Sequence, residues 1–271
     1  NHTKRVLWLL LAVLTMTACG GGKSSKKSRS ADTLALAPCP TFCADSALRY
    51  IREQCAFGPR VTGSEASKKC GDYIEAKFRS FGATVESQQT TVVRYDGERL
   101  PARNIIARIN PNNPDRVLLC AHWDSRPWAD NDPDERKHRS PILGANDGGS
   151  GVAVMMEICR LMVQQPVEVG VDMVCFDAED MGVPQWEDDV EETSDSWCLG
   201  SRFWSEQAAG VNYQARYGVL LDMVGGRGST FSREMVSRYY ADPIVGLLWA
   251  LANQLGYGHY FPMKDGGYLT D

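Results

Sequence analysis

Residues 116–125 read RVLLCAHWDS, a short apolar run that ends abruptly at a histidine and an aspartate. Two similar runs follow along the chain, VDMVCF at 171–176 and YGVLL at 217–221. All three consist mostly of β-forming residues with little polar–apolar alternation, which is typical of strands buried on both faces of a sheet. Because helical patterns lie between and after these runs, the sequence predicts parallel strands covered by helices.

The segments around these runs complete the predicted fold. A glycine-rich loop, GANDGGSG at 144–151, precedes an apolar helical segment, for which Ser150 is the predicted N-cap. The result is an α/β fold with three layers, α/β/α, around a twisted, mixed and mostly parallel central sheet. The remaining periodic segments are helices at 44–56, 64–80, 200–209 and 242–255 and alternating strands at 84–95 and 103–109.

The composition is that of a globular domain. Of the 271 residues, 43% are hydrophobic and 23% are charged, which supplies enough apolar material for a sizeable core. The formal net charge of -5 argues against a nucleic-acid partner, since proteins that bind nucleic acids usually carry a basic surface. The nine cysteines include no paired CxxC motif, so a structural zinc ribbon is not expected. Cys120 and Cys175 fall in the apolar runs and are predicted to be buried thiols.

The N-terminal segment differs in composition from the rest. It reads NHTKR, then VLWLLLAVLTMTA, then Cys19 and the basic stretch GGGKSSKKSRS. A basic start and a short apolar run are typical of an export signal, and LTMTAC resembles the lipobox of bacterial lipoproteins. We therefore expect a lipoprotein signal peptide at 1–19, a flexible tether at 20–34 and a single catalytic domain at 35–271. The protein would be exported to the periplasm or cell envelope and anchored to the membrane by lipid on Cys19, with plain secretion as the alternative.

Each of the three apolar runs is followed by acidic or imidazole side chains. In open α/β sheets the carboxyl ends of the strands meet in one crevice, so these side chains are predicted to lie together. Asp147 in the glycine-rich loop is predicted to join them, since a loop that held phosphate would have no use for a carboxylate. The predicted cluster contains His122, Asp124, Asp147, Asp177, Glu179, Asp180 and Asp222.

Several carboxylates ionise together in one crevice only when a cation offsets their repulsion. We therefore interpret the cluster as a metal site, and the mixture of histidine and carboxylates indicates catalytic zinc with an open coordination position. Two members have simpler alternatives. Asp177 could only form the turn after its strand, and Asp124 could orient a ligand rather than bind the metal.

The order of these motifs resembles a known family. H-x-D after a strand, an N-D-G-x-S-G loop, an acidic pair and L-L-D are similar to the zinc aminopeptidase family of M28 type. Within it, the chain most resembles the bacterial glutaminyl cyclases of mammalian type, over roughly residues 45–271, which implies a zinc aminopeptidase-like fold. The motifs that carry this resemblance are FGPRVTGSEA, HWDSRPWAD, PILGANDGGSGVA, FDAED, WCLGSRFW and YFPMKDGGYLTD.

The resemblance implies roles for the acidic residues. Asp147 and Asp180 would bind a single zinc ion, and Glu179 would be the proton-transferring group. Asp222 would hydrogen-bond to Glu179. The third zinc ligand would be a histidine beyond residue 271, so the end of the catalytic domain would be missing from this chain.

The implied activity is that of a glutaminyl-peptide cyclotransferase, an acyltransferase that converts an N-terminal glutamine into pyroglutamate and releases ammonia. Trp186 would lie in the loop that forms the wall of the substrate pocket.

The alternative is an M28 aminopeptidase with two metals, for which His122, Asp124 and Asp222 are the residues that would bind or surround the second ion. A third possibility is a lipoprotein that binds peptides or metal without catalysis. The expected partners are peptides with N-terminal glutamine, and the expected state is a monomer.

Overall fold

The computed structural model describes residues 36, 38–187, 189–190 and 194–266, all within a unit that begins at Leu36. The predicted signal peptide and tether lie outside the described residues, and so do the last five residues of the YFPMKDGGYLTD motif. Among the helices of the described residues, none is long and apolar enough to cross a membrane.

The central sheet has five strands in the order β1-β2-β4-β3-β5. Strand β3 pairs parallel with β4 and β5, whereas β2 pairs antiparallel with β1 and β4. The three apolar runs are therefore parallel to one another, as predicted, and the two strands that precede them make the sheet mixed. The strands are β1 (Thr84–Val93), β2 (Arg99–Ile109), β3 (Arg116–His122), β4 (Gly170–Phe176) and β5 (Gly218–Leu220).

Helices cover both faces of this sheet. Side chains alternate between the two faces along each strand, so apolar residues of one strand can pack against helices on both sides. Met173 and Cys175 of β4 belong to the main core, together with apolar residues of α1, α2 and α3. Val174 and Phe176 point to the opposite face, where they pack with Trp204 of α4. The predicted three-layer arrangement is therefore confirmed. The helices are α1 (Ala44–Cys55), α2 (Glu65–Ser80), α3 (Gly149–Gln164) and α4 (Leu199–Gly210).

The start of α3 differs from the prediction. Its N-cap is Gly148, which adopts a φ of 79°, and not Ser150. A Cβ atom on Gly148 would lie 2.2 Å from the carbonyl oxygen of Asp124, so the close approach of this loop to the β3 end requires glycine. Ser150 falls in the first turn, where its hydroxyl donates to the carbonyl of Asn146 at 2.5 Å and accepts from the backbone N–H of Val224 at 3.0 Å.

The last helix also departs from the prediction. Helix α5 (Met235–Gln254) begins before Pro243, with a kink at Ala241, where φ is -141° and ψ is 31°. The sequence pattern predicts a helix only over 242–255, so the first turns of α5 lie outside the predicted helix. A two-stranded parallel ladder, β6 (Arg233–Glu234) with β7 (Asp265–Gly266), accompanies this helix.

The eight cysteines in the described part of the chain are thiols. Cys175 is fully buried, as predicted, and burial raises the pKa of its thiol. Cys120 is only half-buried.

Candidate active site

Three strand ends and one loop build the site. Strand β3 ends at His122, which is paired with Phe176 at the end of β4. Asp222 follows β5 on the other side of β3. Because the three strands are parallel, their carboxyl ends lie at one edge of the sheet, and the loop before α3 brings Asp147 to the same edge.

His122 lies at the centre of this group and is surrounded by carboxylates. Its Nε2 is 2.9 Å from Asp147 Oδ1 and 3.5 Å from Asp222 Oδ1. On the other side of the ring, Nδ1 is 3.4 Å from Asp124 Oδ1 and 3.7 Å from Glu179 Oε2. Burial disfavours the charged imidazole, but hydrogen bonds to Asp124, Asp147 and Asp222 outweigh burial and raise the pKa of His122 well above its ordinary value. Without a metal, the surrounding carboxylates therefore favour the protonated form of this imidazole.

Asp124 is fully buried and anchors the backbone of the acidic pair. Its Oδ1 accepts from the backbone N–H of Glu179 and its Oδ2 from that of Asp180, both at 3.1 Å. Both carboxylate oxygens are thus used in orienting neighbouring groups, in agreement with the alternative in which Asp124 orients a ligand.

Asp177 has a scaffolding role. Its carboxylate accepts hydrogen bonds from the Thr62 hydroxyl and from the backbone N–H groups of Arg103 and Ala178, each at 2.8 Å. Burial is the main cause that raises the pKa of this carboxyl group. Since its donors come from the protein itself, Asp177 joins the FGPRVTGSEA segment to the end of β4 and is not available as a metal ligand.

Asp180 has the opposite environment, although it is only three residues away. Its side chain is buried, and its Oδ2 has no hydrogen-bond partner among the described residues. Burial, together with the negative charges of Asp147 and Asp124, raises the pKa of Asp180 to about 7 against the opposing charges of His122 and Arg126. A buried carboxylate oxygen without a donor is what a bound cation would satisfy.

The donor set fits a divalent metal. Ligand atoms of His122, Asp147 and Asp222 lie within 4.8 Å of one another. Asp222 Oδ1, like Asp180 Oδ2, is buried and has no hydrogen-bond donor among the residues that the structure describes. Imidazole nitrogen with carboxylate oxygens is a set that zinc accepts. Asp180, which the resemblance pairs with Asp147, lies outside this group of three, and the hydrogen bond expected between Asp222 and Glu179 stays a prediction.

The acidic group opens into a cleft of about 1170 Å³, large enough for several residues of a peptide. Asp147, Glu179, Asp180 and Asp222 are among the residues that line it. The walls are largely apolar and aromatic, and polar side chains complete the lining. The wall residues include Phe176, Val183, Trp197 and Trp204, and the polar residues include Asn131, Gln185, Arg202 and Ser205.

Trp186 lies in the predicted loop, whose residues Gln185 and Glu187 line the cleft. The Trp186 ring packs edge-on against Trp128, with ring centroids 5.8 Å apart. Trp186 is not among the described residues that line the cleft. Trp197 contributes to the lining and was missed as a site residue. The signal was present in the WCLGSRFW motif, which contributed only to the resemblance.

The fold and the site together define a class of protein. A buried histidine and several carboxylates converge at the strand ends of a mixed α/β sheet and open into a peptide-sized cleft, which is the arrangement of a metal-dependent α/β enzyme. The model of peptidase family M28 matches residues 104–271 of the chain, and the chain belongs to this family.

Solved structures agree with this assignment. The chain is similar to a Zn-dependent exopeptidase from Parabacteroides distasonis, with 50% identity, a TM-score of 0.83 and coverage of 86% of this chain and 80% of that chain. It is similar to Bacteroides thetaiotaomicron glutaminyl cyclase bound to N-acetylhistamine, with 46% identity, a TM-score of 0.84 and coverage of 86% and 80%. It is also similar to Tannerella forsythia glutaminyl cyclase, with 49% identity, a TM-score of 0.82 and coverage of 86% and 79%.

The predicted zinc aminopeptidase-like fold and the resemblance to glutaminyl cyclases of M28 type are therefore confirmed. The family and the group formed by His122, Asp147 and Asp222 also support zinc as the metal. The chain spans only 39% and 45% of the length of two curated Escherichia coli relatives that it matches.

Proposed function

We propose that this protein is a zinc-dependent glutaminyl-peptide cyclotransferase, which converts the N-terminal glutamine of peptides into pyroglutamate. The observation that carries the proposal is that Glu179, Asp147 and Asp180 line the same cleft. A proton-accepting carboxylate, the expected metal ligands and space for a peptide thus occur together. Two glutaminyl cyclases of 46% and 49% identity share the scaffold that holds these groups.

In the proposed reaction the substrate supplies its own nucleophile. The α-amine attacks the γ-amide carbon, a C–N bond closes the five-membered ring, and the bond to the amide nitrogen breaks to release ammonia. Intramolecular proximity favours this step, and the aromatic and apolar cleft walls exclude water that would compete. When bound by Asp147 and Asp180, zinc supplies Lewis-acid polarisation of the γ-carbonyl group.

Glu179 accepts the proton of the attacking amine and donates it to the departing ammonia. Its side chain is only 13% exposed, and its backbone N–H is held by Asp124. A fixed, partly desolvated carboxylate is suited to act as a base and then as an acid within one turnover.

The arrangement around His122 supports the single ion of this proposal. Carboxylates approach both ring nitrogens, so a proton on the imidazole balances the charge on that side of the site. Asp180 faces the Arg126 guanidinium instead, and its buried Oδ2, like Asp222 Oδ1, has no hydrogen-bond partner among the described residues and is open to a cation.

A two-metal aminopeptidase is the second candidate. It is favoured by the close grouping of His122, Asp147 and Asp222, which also suits a metal ion, and by the exopeptidase with 50% identity. In that case Asp147 would contact both ions and Asp124 would orient His122.

A parallel assay separates the two functions. The full-length protein, with one equivalent of zinc, is incubated with the dipeptide Gln-Ala and separately with Leu-p-nitroanilide, and ammonia and nitroaniline are quantified. Ammonia with a pyroglutamyl product and no nitroaniline supports the cyclase. Nitroaniline release that rises with a second equivalent of zinc would establish the aminopeptidase.

We also infer that the protein is an exported lipoprotein of the periplasm or cell envelope. The apolar run VLWLLLAVLTMTA followed by Cys19 supports this inference. Metabolic labelling with palmitate in cells that express the full-length protein tests it. Label that disappears in Cys19→Ser is expected, and equal labelling of both proteins would contradict the inference.

A further inference from the structure

A buried arginine, Arg126, lies next to the carboxylate of Asp180. The Arg126 side chain is 9% exposed, and its Nε and Nη2 donate to the two oxygens of Asp130 at 2.8 and 2.5 Å. Its Nη1 is 3.5 Å from Asp180 Oδ1 and 3.4 Å from the Asp180 carbonyl oxygen. One guanidinium thus bridges two carboxylates, that of Asp130 and that of Asp180.

The position of this guanidinium is fixed from several directions. Its central carbon lies 5.5 Å from the ring centre of Trp128 and 4.7 Å from that of Trp197. The carbonyl of Val183 accepts from Nη2 at 3.2 Å. Two aromatic contacts and a bidentate carboxylate leave the planar fork little freedom to rotate.

Two groups of Asp180, its backbone N–H and its Oδ1, thus have partners, whereas its Oδ2 has none among the described residues. Its backbone N–H donates to Asp124, and its Oδ1 faces Arg126. Its Oδ2 is buried without a donor. The guanidinium thus occupies one oxygen of the carboxylate and leaves the other for an ion.

The charge of Arg126 acts in the same direction. Among the described ion pairs, Arg126 is the arginine that lies within 4.0 Å of the Asp180 carboxylate. Its positive charge attracts Oδ1 and so favours the orientation in which Oδ2 points away from the guanidinium.

We propose that Arg126 is a positioning residue of the zinc site, which holds Asp180 through Oδ1 so that Oδ2 faces the ion and thereby raises zinc affinity. The proposal rests on the assignment of Asp180 as a zinc ligand in the proposed function. Arg126 itself does not need to touch the substrate for this role.

Zinc affinity tests the proposal independently of turnover. Arg126→Met keeps much of the side-chain volume and removes the charged fork, and a chromophoric chelator reports zinc affinity by competition with the full-length protein. We expect the affinity to fall about 10- to 100-fold, the range observed when groups that orient metal ligands are lost. Arg126→Lys keeps the charge without the bidentate geometry and should recover part of this loss.

Arg94→Met is the matched control. Arg94 also lies over Trp128, at 5.6 Å from the ring centre, but its carboxylate partners are Asp96 and Glu98 in a turn away from the metal group. Its zinc affinity should equal that of the unmodified protein. Wild-type affinity in Arg126→Met would overturn the proposal.

Two further variants keep the test decisive. If Arg126→Met does not fold by circular dichroism, Arg126→Lys and Asp130→Asn decide: weaker zinc binding than in Arg94→Met supports the proposal, and unchanged binding in both overturns it. Asp180→Asn separates this inference from the proposed function. Unchanged zinc binding in Asp180→Asn would remove the ligand assignment itself, whereas weakened binding there with unchanged Arg126 variants would remove only the role of Arg126.

Discussion

The two sides of Asp147 differ in how their negative charge is balanced. On one side, His122 lies among Asp124, Asp147 and Asp222 and carries a proton of its own. On the other side, Asp180 Oδ1 faces Arg126, and Asp180 Oδ2 has no hydrogen-bond donor among the described residues. The imidazole offsets part of the negative charge on the histidine side, where Asp222 Oδ1 also lacks a hydrogen-bond donor among the described residues, whereas Arg126 offsets part of the charge on the Asp180 side.

This difference teaches where a first ion is needed. An ion on the Asp180 side satisfies a buried oxygen and relieves repulsion between carboxylates. An ion on the histidine side must first displace the proton that the surrounding carboxylates stabilise. The single-zinc cyclase and the two-zinc aminopeptidase thus differ in whether the histidine side is also occupied.

The largest effect is expected at Glu179, the carboxylate that transfers the proton in the proposed reaction. Glu179→Gln keeps the shape of the side chain but cannot accept a proton, so kcat for ammonia release should fall by about 10²- to 10⁴-fold. Binding of Gln-Ala, measured by calorimetry, should change little. Glu206→Gln, on the exposed face of α4, is the control and should leave both quantities unchanged. Equal loss of binding and turnover in Glu179→Gln would point to damage of the fold.

The next effect separates the two sides directly. Asp180→Asn should lower zinc affinity by more than about 100-fold, since it removes a ligand rather than a group that orients one. Asp222→Asn changes the histidine side and should lower affinity for the first ion far less. Chelator competition measures both constants. Comparable losses in the two variants would break the comparison and favour a site centred on His122.

The metal-free protein should lose stability with rising pH, in a different window for each side. The pKa of Asp180 is raised from 3.8 to about 7, so the folded state binds more protons than the unfolded state and stability falls across that range. The pKa of His122 is also raised, so its contribution is complete below about 6.5 and is lost at higher pH.

Thermal unfolding in the presence of a chelator measures these windows. We expect the midpoint to fall by about 2–4 °C per pH unit within each window. Asp180→Asn should make the profile less steep below pH 7, where the raised pKa of Asp177 leaves part of the slope, and His122→Gln should make it less steep above. Profiles that both substitutions leave unchanged would contradict the assigned charge states.

The strands that build the site were predictable because they consist mostly of β-forming residues, although only β4 is buried along its whole length, β3 being largely half-buried and β5 partly exposed. RVLLCA and VDMVCF each read as continuous apolar runs, and their ends placed His122 and Asp180 in one crevice. Local rules failed where a distant contact decides. Ser150 is a favourable N-cap by residue type, but the approach of Gly148 to Asp124 starts the helix earlier.

The roles of the acidic residues were less predictable than their position. Asp177 and Asp180 belong to one short motif, FDAED, yet donors from Thr62 and Arg103 occupy the first and leave the second open. Those donors are far away in sequence, so no spacing rule reveals them. Arg126 was missed for the same reason, since its meaning lies in the contact with Asp180.

The most direct test of the account is a zinc titration of the full-length protein. Metal-free protein receives zinc in steps up to three equivalents, and ammonia release from Gln-Ala and nitroaniline release from Leu-p-nitroanilide are followed at each step. The account predicts that ammonia release rises in proportion to zinc and reaches its plateau at one equivalent, with no nitroaniline at any step. Activity that continues to rise to two equivalents, with release of nitroaniline, would contradict it.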